Sequence, residues 1–471
     1  MAQVRSREPL GRAMTGNRAS ASRAHGAGLL AAGVGAGLLV ARVGTAQCPT
    51  FLAPQTLQVS PEIRQVALRG RAAEQPRSAV PRGGAGALPL ALGLLCGGAA
   101  RLSAALRGSS RKRCLRATAE AAATLTGPSM RVVVFGSSGY IGQAVVKELA
   151  ARGHDVFAVS REVCGIKGAQ SAKGLESEFS GAGKVQVVTG DVTDPVSLRG
   201  TLSSIGNVDA AFCCLASRSG GVQDSWDIDY QATVNCIEAA REAKMKQFVL
   251  LSAICVQRPL LAFQEAKLKA EAFLMEKQGD MKYSIVRPTA FFKSLASQIK
   301  AVQSGSPYVM FGEGDVACKP ISEEDLASFI ADCVWDPSKQ DAVLPIGGPG
   351  DAMSFREQGE YMFKLLGKEP SFIQVPYGVF DFVQGILDFI AGLLPDKMAD
   401  LAEYGRIGRY YAEQSMLVLD PATDKYSGPL TPSYGKTSLR DFLKEAIEDN
   451  SILDRQQLGE QGLDAQLKVD G

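Results

Sequence analysis

The stretch Arg131-Val-Val-Val-Phe-Gly136-Ser-Ser-Gly139-Tyr-Ile-Gly142 constrains the fold more than any other part of this chain. The β-branched and apolar run from Arg131 to Phe135 has the character of a strand buried on both faces of a parallel sheet. Glycines follow at a spacing of three, and Gln143 to Arg152 has the pattern of a helix. Gly136 permits the sharp turn, Gly139 lets backbone approach a pyrophosphate, and Gly142 lets helix and strand pack closely. Phosphates then meet the free amides of the first helical turn, where the dipole favours negative charge. A glycine-rich loop alone says little, but the strand before it and the helix after it are the context the motif needs. The expectation is a dinucleotide-binding fold with Gly136, Ser137, Gly139, Tyr140, Ile141 and Gly142 at the pyrophosphate.

The second strand is expected at Asp155 to Ser160, and its end selects the nucleotide. An acidic residue there would take the ribose 2′-hydroxyl of NAD. This strand ends instead in Ser160 and Arg161. A hydroxyl and a guanidinium suit a 2′-phosphate, which arginine grips through paired hydrogen bonds. NADPH is the expected cofactor. Strands and helices then alternate: Lys184 to Thr189, Val208 to Cys214, Gln247 to Ser252 and Lys282 to Arg287 read as strands. Asp224 to Lys244 and Phe263 to Lys277 read as helices, and Gly165 to Gly183 as a surface loop. This predicts an α/β fold, a doubly wound parallel Rossmann sheet over 129–350 with a smaller C-terminal substrate-binding lobe over 351–450. Residues 451–471 read as a flexible tail. Val379 to Leu394 is apolar around much of a helix, interrupted by Asp381 and Asp388. It can be a core helix, the wall of an apolar pocket, or a face that touches a membrane.

Residues 1–119 are a different material, with 16 Arg, 1 Lys, 3 Glu and no Asp, whereas the whole chain nets only +2. An arginine-rich, acid-poor N-terminus is the composition of a targeting segment, so it is set apart from the fold, with no nucleic-acid partner implied. A basic start precedes the apolar run Ala27 to Val40 and the small residues Gly44-Thr-Ala46. Phe51-Leu-Ala-Pro54, a second apolar run from Ala85 to Ala100 and Arg111-Lys-Arg113 follow. Residues 1–124 resemble the bipartite presequences of algae with complex plastids, which implies import into a plastid.

The chemistry available is narrow. The only histidines are His25 and His154, so a Ser-His-Asp mechanism is excluded. Cys164, Cys213, Cys214, Cys236, Cys255, Cys318 and Cys333 show no metal-ligand spacing, so no metal is expected, and they read as reduced core residues. Ser252, Phe263 and Lys267 resemble the Ser, Tyr and Lys positions of the short-chain dehydrogenase/reductase superfamily, in its extended or atypical branch. That resemblance implies that Lys267 holds the nicotinamide ribose. The proton-donating Tyr is replaced by Phe263, which argues against carbonyl reduction. Glu271, one turn after Lys267, is expected to pair with it. An activated alkene can be reduced without the phenol, its proton coming from Ser252, Lys267 or water.

A longer resemblance covers about Arg131 to Leu443. Cys214-Leu-Ala-Ser-Arg-Ser-Gly-Gly-Val-Gln-Asp-Ser-Trp226, Val249-Leu-Leu-Ser-Ala-Ile-Cys-Val-Gln-Arg-Pro259, Tyr283-Ser-Ile-Val-Arg-Pro-Thr-Ala-Phe-Phe-Lys-Ser-Leu295 and Ile407-Gly-Arg-Tyr-Tyr411 are similar to the NADPH-dependent divinyl chlorophyllide a 8-vinyl reductases. That family shares the phenylalanine at the tyrosine position. The resemblance implies reduction of the 8-vinyl group of a divinyl tetrapyrrole to ethyl, in chlorophyll biosynthesis. It implies Asp191 and Val192 at the adenine, Leu215 and Ala216 beside the cofactor, and Pro288 and Thr289 near the carboxamide. Phe263, Phe291 and Phe292 are expected at the pigment ring, with Arg218 or Lys293 near a carboxylate. A catalytically silent NADP-binding regulator or photosystem assembly factor, and a reductase of another activated alkene, remain alternatives.

Overall fold

A computed structural model of the protein describes residues 127–164 and 170–449. The presequence expected over 1–124 and the tail expected over 451–471 lie outside the described residues.

Seven strands form one sheet: β1 (Arg131–Phe135), β2 (Asp155–Ser160), β3 (Val185–Thr189), β4 (Ala210–Cys213), β5 (Gln247–Leu251), β6 (Lys282–Pro288) and β7 (Ala342–Ile346). Their order is β7-β6-β5-β4-β1-β2-β3, and every neighbouring pair is parallel. Parallel strands need crossovers, and the crossovers cover both faces with helices. Val132 and Val134 therefore pack against Val145 and Leu149 of α1 (Tyr140–Ala151). Val133 and Phe135 face Leu198 and Leu202 of α2 (Pro195–Ile205) and Ile237 of α3 (Thr233–Glu242). Burying one such side chain stabilises the fold by about 1.5–3 kcal/mol before the entropy of ordering it is counted. At the sheet edge β3 mixes exposed and half-buried residues, whereas central β5 is buried throughout.

Helix α4 (Ala262–Lys277) follows β5, and α5 (Glu323–Asp332) returns the chain to α1 before β7. Two expectations need correction here. The stretch 165–183 contains a helix, Ala172–Glu178, whose N-terminus Ser171 caps by accepting the amide of Gly174. The long helix expected from Asp224 begins as an eight-residue π-helix, Ser225–Ala232, and becomes α3 only at Thr233. Such wide turns occur mostly at functional sites, and this one carries Asp229.

The C-terminal lobe has its own core, but the expected boundary at 350 does not separate it. Phe292, Leu295 and Tyr308 from before that point pack with Met362, Phe363 and Phe442 from beyond it. The lobe also contributes an antiparallel hairpin, α6 (Tyr377–Leu393) and α7 (Pro395–Glu413). Asp381 and Asp388, which interrupt the apolar run, pair across it with Arg409 at 2.6 Å and Arg406 at 2.7 Å. Only Gln384 of α6 is buried, so α6 is not an ordinary core helix. Val379, Phe382, Ile386, Phe389 and Leu393 form an exposed stripe along it. Among the described residues no helix is long and apolar enough to cross a membrane.

Candidate active site

The strand order reverses between β4 and β2 around β1, and ligands of open α/β sheets bind at such a point, beyond the carboxyl ends of the strands. A cavity of about 1760 Å³ lies there, between the sheet and the lobe. Pockets for one small molecule hold roughly 300–1,000 Å³, so this cavity has room for two sizeable ligands.

The glycine loop forms one end. Gly136 has φ +76°, a conformation that side chains other than glycine rarely adopt. A Cβ on Gly142 would stand 2.0 Å from the Gly136 carbonyl oxygen, so no larger residue fits where α1 meets the loop. Gly139 begins α1 with no side chain capping it, and the amides of the first turn are left for an anion. Gly136, Gly139, Tyr140 and Ile141 line the cavity, as do Ser138 and Gln143, which the motif alone did not single out. Ser137 and Gly142 do not line it. Fully buried, the Ser137 hydroxyl donates to the Val159 carbonyl at 2.8 Å, which fastens the loop to β2.

Arg161 stands at the end of β2, and the Ser160 hydroxyl donates to its carbonyl at 3.1 Å. Arg218 proves to be its neighbour. Burial, and then the like charge of Arg161, lower the pKa of Arg218. The loop bearing Arg218 is held by Asp224, which accepts the Arg218 amide at 2.8 Å and the Ser219 amide at 2.9 Å. Two guanidiniums close enough to feel each other's charge suit a doubly charged anion. Arg218, expected at a pigment carboxylate, thus lines the cavity near Arg161. Asp191 and Val192 line the adjoining wall, and Asn235 fixes that loop by donating to the Val192 carbonyl at 3.0 Å. Leu215, Ala216, Pro288 and Thr289 line the middle of the cavity.

Lys267 projects from α4 into the centre, 2.9 Å from Asp229 and 3.3 Å from the Leu215 carbonyl. Burial works against its charge, but the Asp229 carboxylate outweighs it and raises the lysine pKa above its ordinary value. The expected partner, Glu271, is engaged elsewhere. It is wholly buried, accepts from Arg287 Nε at 3.0 Å, and also accepts the Ser252 hydroxyl. One helical turn separates Lys267 and Glu271, but the lysine reaches outward to the cavity while the carboxylate turns down to β6.

Ser252, expected as catalytic, therefore spends its proton on Glu271. Ser252→Ala removes one of that buried carboxylate's partners and should cost about 1–3 kcal/mol of stability. Turnover should stay within a few-fold of the parent. Thermal melting beside a rate assay checks both parts, and a thousand-fold rate loss at unchanged stability would restore Ser252 to catalysis.

Phe263 lines the cavity one turn before Lys267. Phe291 lines it too, with its ring edge-on to Tyr140 at 6.3 Å between centroids. Phe292 does not. It is 2% exposed and stacks on Phe442 at 4.4 Å, a core residue of the lobe. The 3-10 turn Phe292–Leu295 points it away from its neighbour Phe291. Lys293 lines the cavity with its ammonium 5.1 Å from the centre of the Tyr140 ring. Ile407 and Tyr411 of α7, and Gln414 just after it, line the cavity as well.

A family model described as NAD(P)H-binding matches residues 136–337. A solved structure of AtPrR2 with NADP+ and (+)pinoresinol covers 68% of this chain and 99% of its own at a TM-score of 0.50. Its 17% identity makes it a likeness of fold. The chloroplastic divinyl chlorophyllide a 8-vinyl-reductase of Cucumis sativus is 53% identical over 337 residues, covering 70% of this chain and 79% of the relative. The Zea mays protein of the same name is 54% identical over 334 residues, covering 70% and 82%. With identity at that level over a chain whose glycine cradle, paired arginines and Phe263 all face one cavity, this protein belongs to the divinyl chlorophyllide a 8-vinyl reductase family.

Proposed function

We infer that the protein is an NADPH-dependent oxidoreductase that reduces the 8-vinyl group of divinyl chlorophyllide a to ethyl, within chlorophyll biosynthesis in a plastid. The observation that carries this is the agreement, at more than half of aligned positions, with chloroplastic enzymes of that name. NADPH, when bound, supplies the hydride for one vinyl carbon. The residues around it bind and orient. The glycine loop and the first turn of α1 receive the pyrophosphate, and Arg161 with Arg218 receives the 2′-phosphate. Lys267, kept charged by Asp229, hydrogen-bonds the nicotinamide ribose. Phe263 and Phe291 offer apolar faces to the macrocycle, and Lys293 offers a cation to its carboxylate.

The experiment is conversion of divinyl chlorophyllide a by the full chain, with products separated by chromatography. Monovinyl product that forms only with NADPH supports the reading. No conversion, with tight NADPH binding retained, is the result expected of a silent NADP-binding protein. Turnover of phenolic alkenes without pigment binding is the result expected of another alkene reductase.

Two further parts of the reading concern placement in the cell. The N-terminal composition supports import by a signal-plus-transit presequence. The exposed stripe of α6, on the hairpin whose other helix walls the cavity, supports peripheral contact with a plastid membrane, where an amphiphilic pigment would be taken up. Phe382→Asp with Phe389→Asp should cut co-sedimentation with plastid-lipid vesicles by at least several-fold and leave NADPH affinity unchanged. Equal sedimentation of parent and variant would remove the membrane from the account.

A further inference from the structure

With Phe263 where the wider superfamily carries its phenol, the second hydrogen of the reduction needs another source. Three cavity-lining groups are already engaged. The Ser252 hydroxyl donates to Glu271, and the Tyr140 hydroxyl donates to Glu323 at 2.6 Å, at the glycine-loop end. The Lys267 ammonium is held by Asp229 and the Leu215 carbonyl.

Tyr411 of α7 is a further proton-bearing group at the cavity. Its side chain lines the cavity and is 44% exposed. Cys255, which lines the same cavity, stands beside its phenol. Cys255 sits in the turn after β5, three residues beyond Ser252. The neighbouring Tyr410 donates to the Cys255 carbonyl at 3.0 Å, which pins α7 to that turn. Phe263 and Ile407 pack in the same cluster as Cys255. The lobe thus brings a phenol to the cavity that Phe263 and Lys267 also line, on a helix whose Glu403 accepts the Ala262 amide at the start of α4 at 2.7 Å.

We propose that Tyr411 is the general acid of the vinyl reduction, delivering its phenolic proton to the pigment carbon next to the one that receives hydride. This rests on the functional reading above. The step balances. The vinyl π bond is lost, and one new C–H bond takes a hydrogen with its electron pair from the reduced nicotinamide. The charge left on the other carbon spreads into the macrocycle, and the Tyr411 O–H bond breaks to give that carbon its proton. The phenolate then regains a proton from water, so the net change is vinyl to ethyl with NADPH oxidised. Burial and the Cys255 contact hold the phenol pKa above its ordinary value, so it stays protonated while the pigment binds. A carbanion is basic enough to take its proton.

The test uses the full chain with Tyr411→Phe, which keeps the ring and removes only the hydroxyl. NADPH and pigment affinities, read by fluorescence titration, should be unchanged. The rate constant for pigment reduction should fall roughly 10²–10⁴-fold, the usual worth of a general acid. The parent should show a solvent deuterium isotope effect on that rate constant, while the variant, protonated by water, should show a different one. A variant within three-fold of the parent, or an isotope effect identical in both, overturns the assignment. A parent that binds NADPH but leaves the pigment unreduced overturns the functional reading itself.

Discussion

Lys267→Met is expected to abolish measurable turnover and to destabilise the folded protein. Both effects come from the same pair. Asp229 is 2% exposed, and removing its cation leaves a buried carboxylate uncompensated, which costs about 3–5 kcal/mol. The π-helix that carries Asp229 packs against α4, so the loss is felt where both elements meet the cavity. NADPH affinity should fall as well, on the proposed role of Lys267 at the ribose. The pair also fixes a pH dependence. Asp229 raises the lysine pKa above the ordinary 10.5. The contribution is therefore complete below that value and is lost only as pH rises through the higher folded one. Denaturant melts at pH 7 and at increasingly alkaline pH check this: parent and variant should differ most at pH 7, and the difference should shrink only as pH rises past the ordinary lysine value. A variant as stable as the parent at pH 7 would contradict it.

Removing both guanidiniums, Arg161→Ala with Arg218→Ala, should weaken NADPH binding by roughly 10²–10⁴-fold, because hydrogen bonds to charged groups contribute about 1.5–3 kcal/mol each. NADH lacks the 2′-phosphate, so its affinity should change little. Each single variant should lose less than the double. The proposed role of Arg218 at this end goes beyond what the strand end alone suggests. Were Arg218 a pigment contact, Arg218→Ala would raise the pigment KM and leave the NADPH affinity intact. Titration of each variant with both nucleotides distinguishes the two.

The sheet was legible because its signals are local. Four consecutive apolar residues before Gly136 and three spaced glycines leave few alternatives, and the alternation of strands and helices implies a doubly wound parallel sheet. The place of Arg161 at the cavity was readable for the same reason, one residue beyond a strand end. What failed was pairing across the chain. Glu271 sits at the helical spacing that predicts contact with Lys267, yet Arg287, sixteen residues on, competes for it in a buried setting where the geometry of two hydrogen bonds decides. Asp229 gave no signal, because a π-helix is not marked by any composition and moves side chains off the expected face. Phe291 and Phe292 were indistinguishable as a dipeptide, and only the turn that separates them assigns one to the cavity and the other to the lobe core. Tyr411 lies far along the chain from Phe263, and nothing short of the folded hairpin places it against Cys255.

The central claim is most directly tested by isotope transfer from NADPH deuterated at the nicotinamide C4 to the pigment. The full chain would be run to completion with divinyl chlorophyllide a, and the product separated and weighed by mass spectrometry. The account predicts monovinyl product carrying one deuterium in the 8-ethyl group for each NADPH oxidised, when the reactive face bears the label. Monovinyl product without deuterium from either labelled face would contradict it, as would NADPH binding with no product at all.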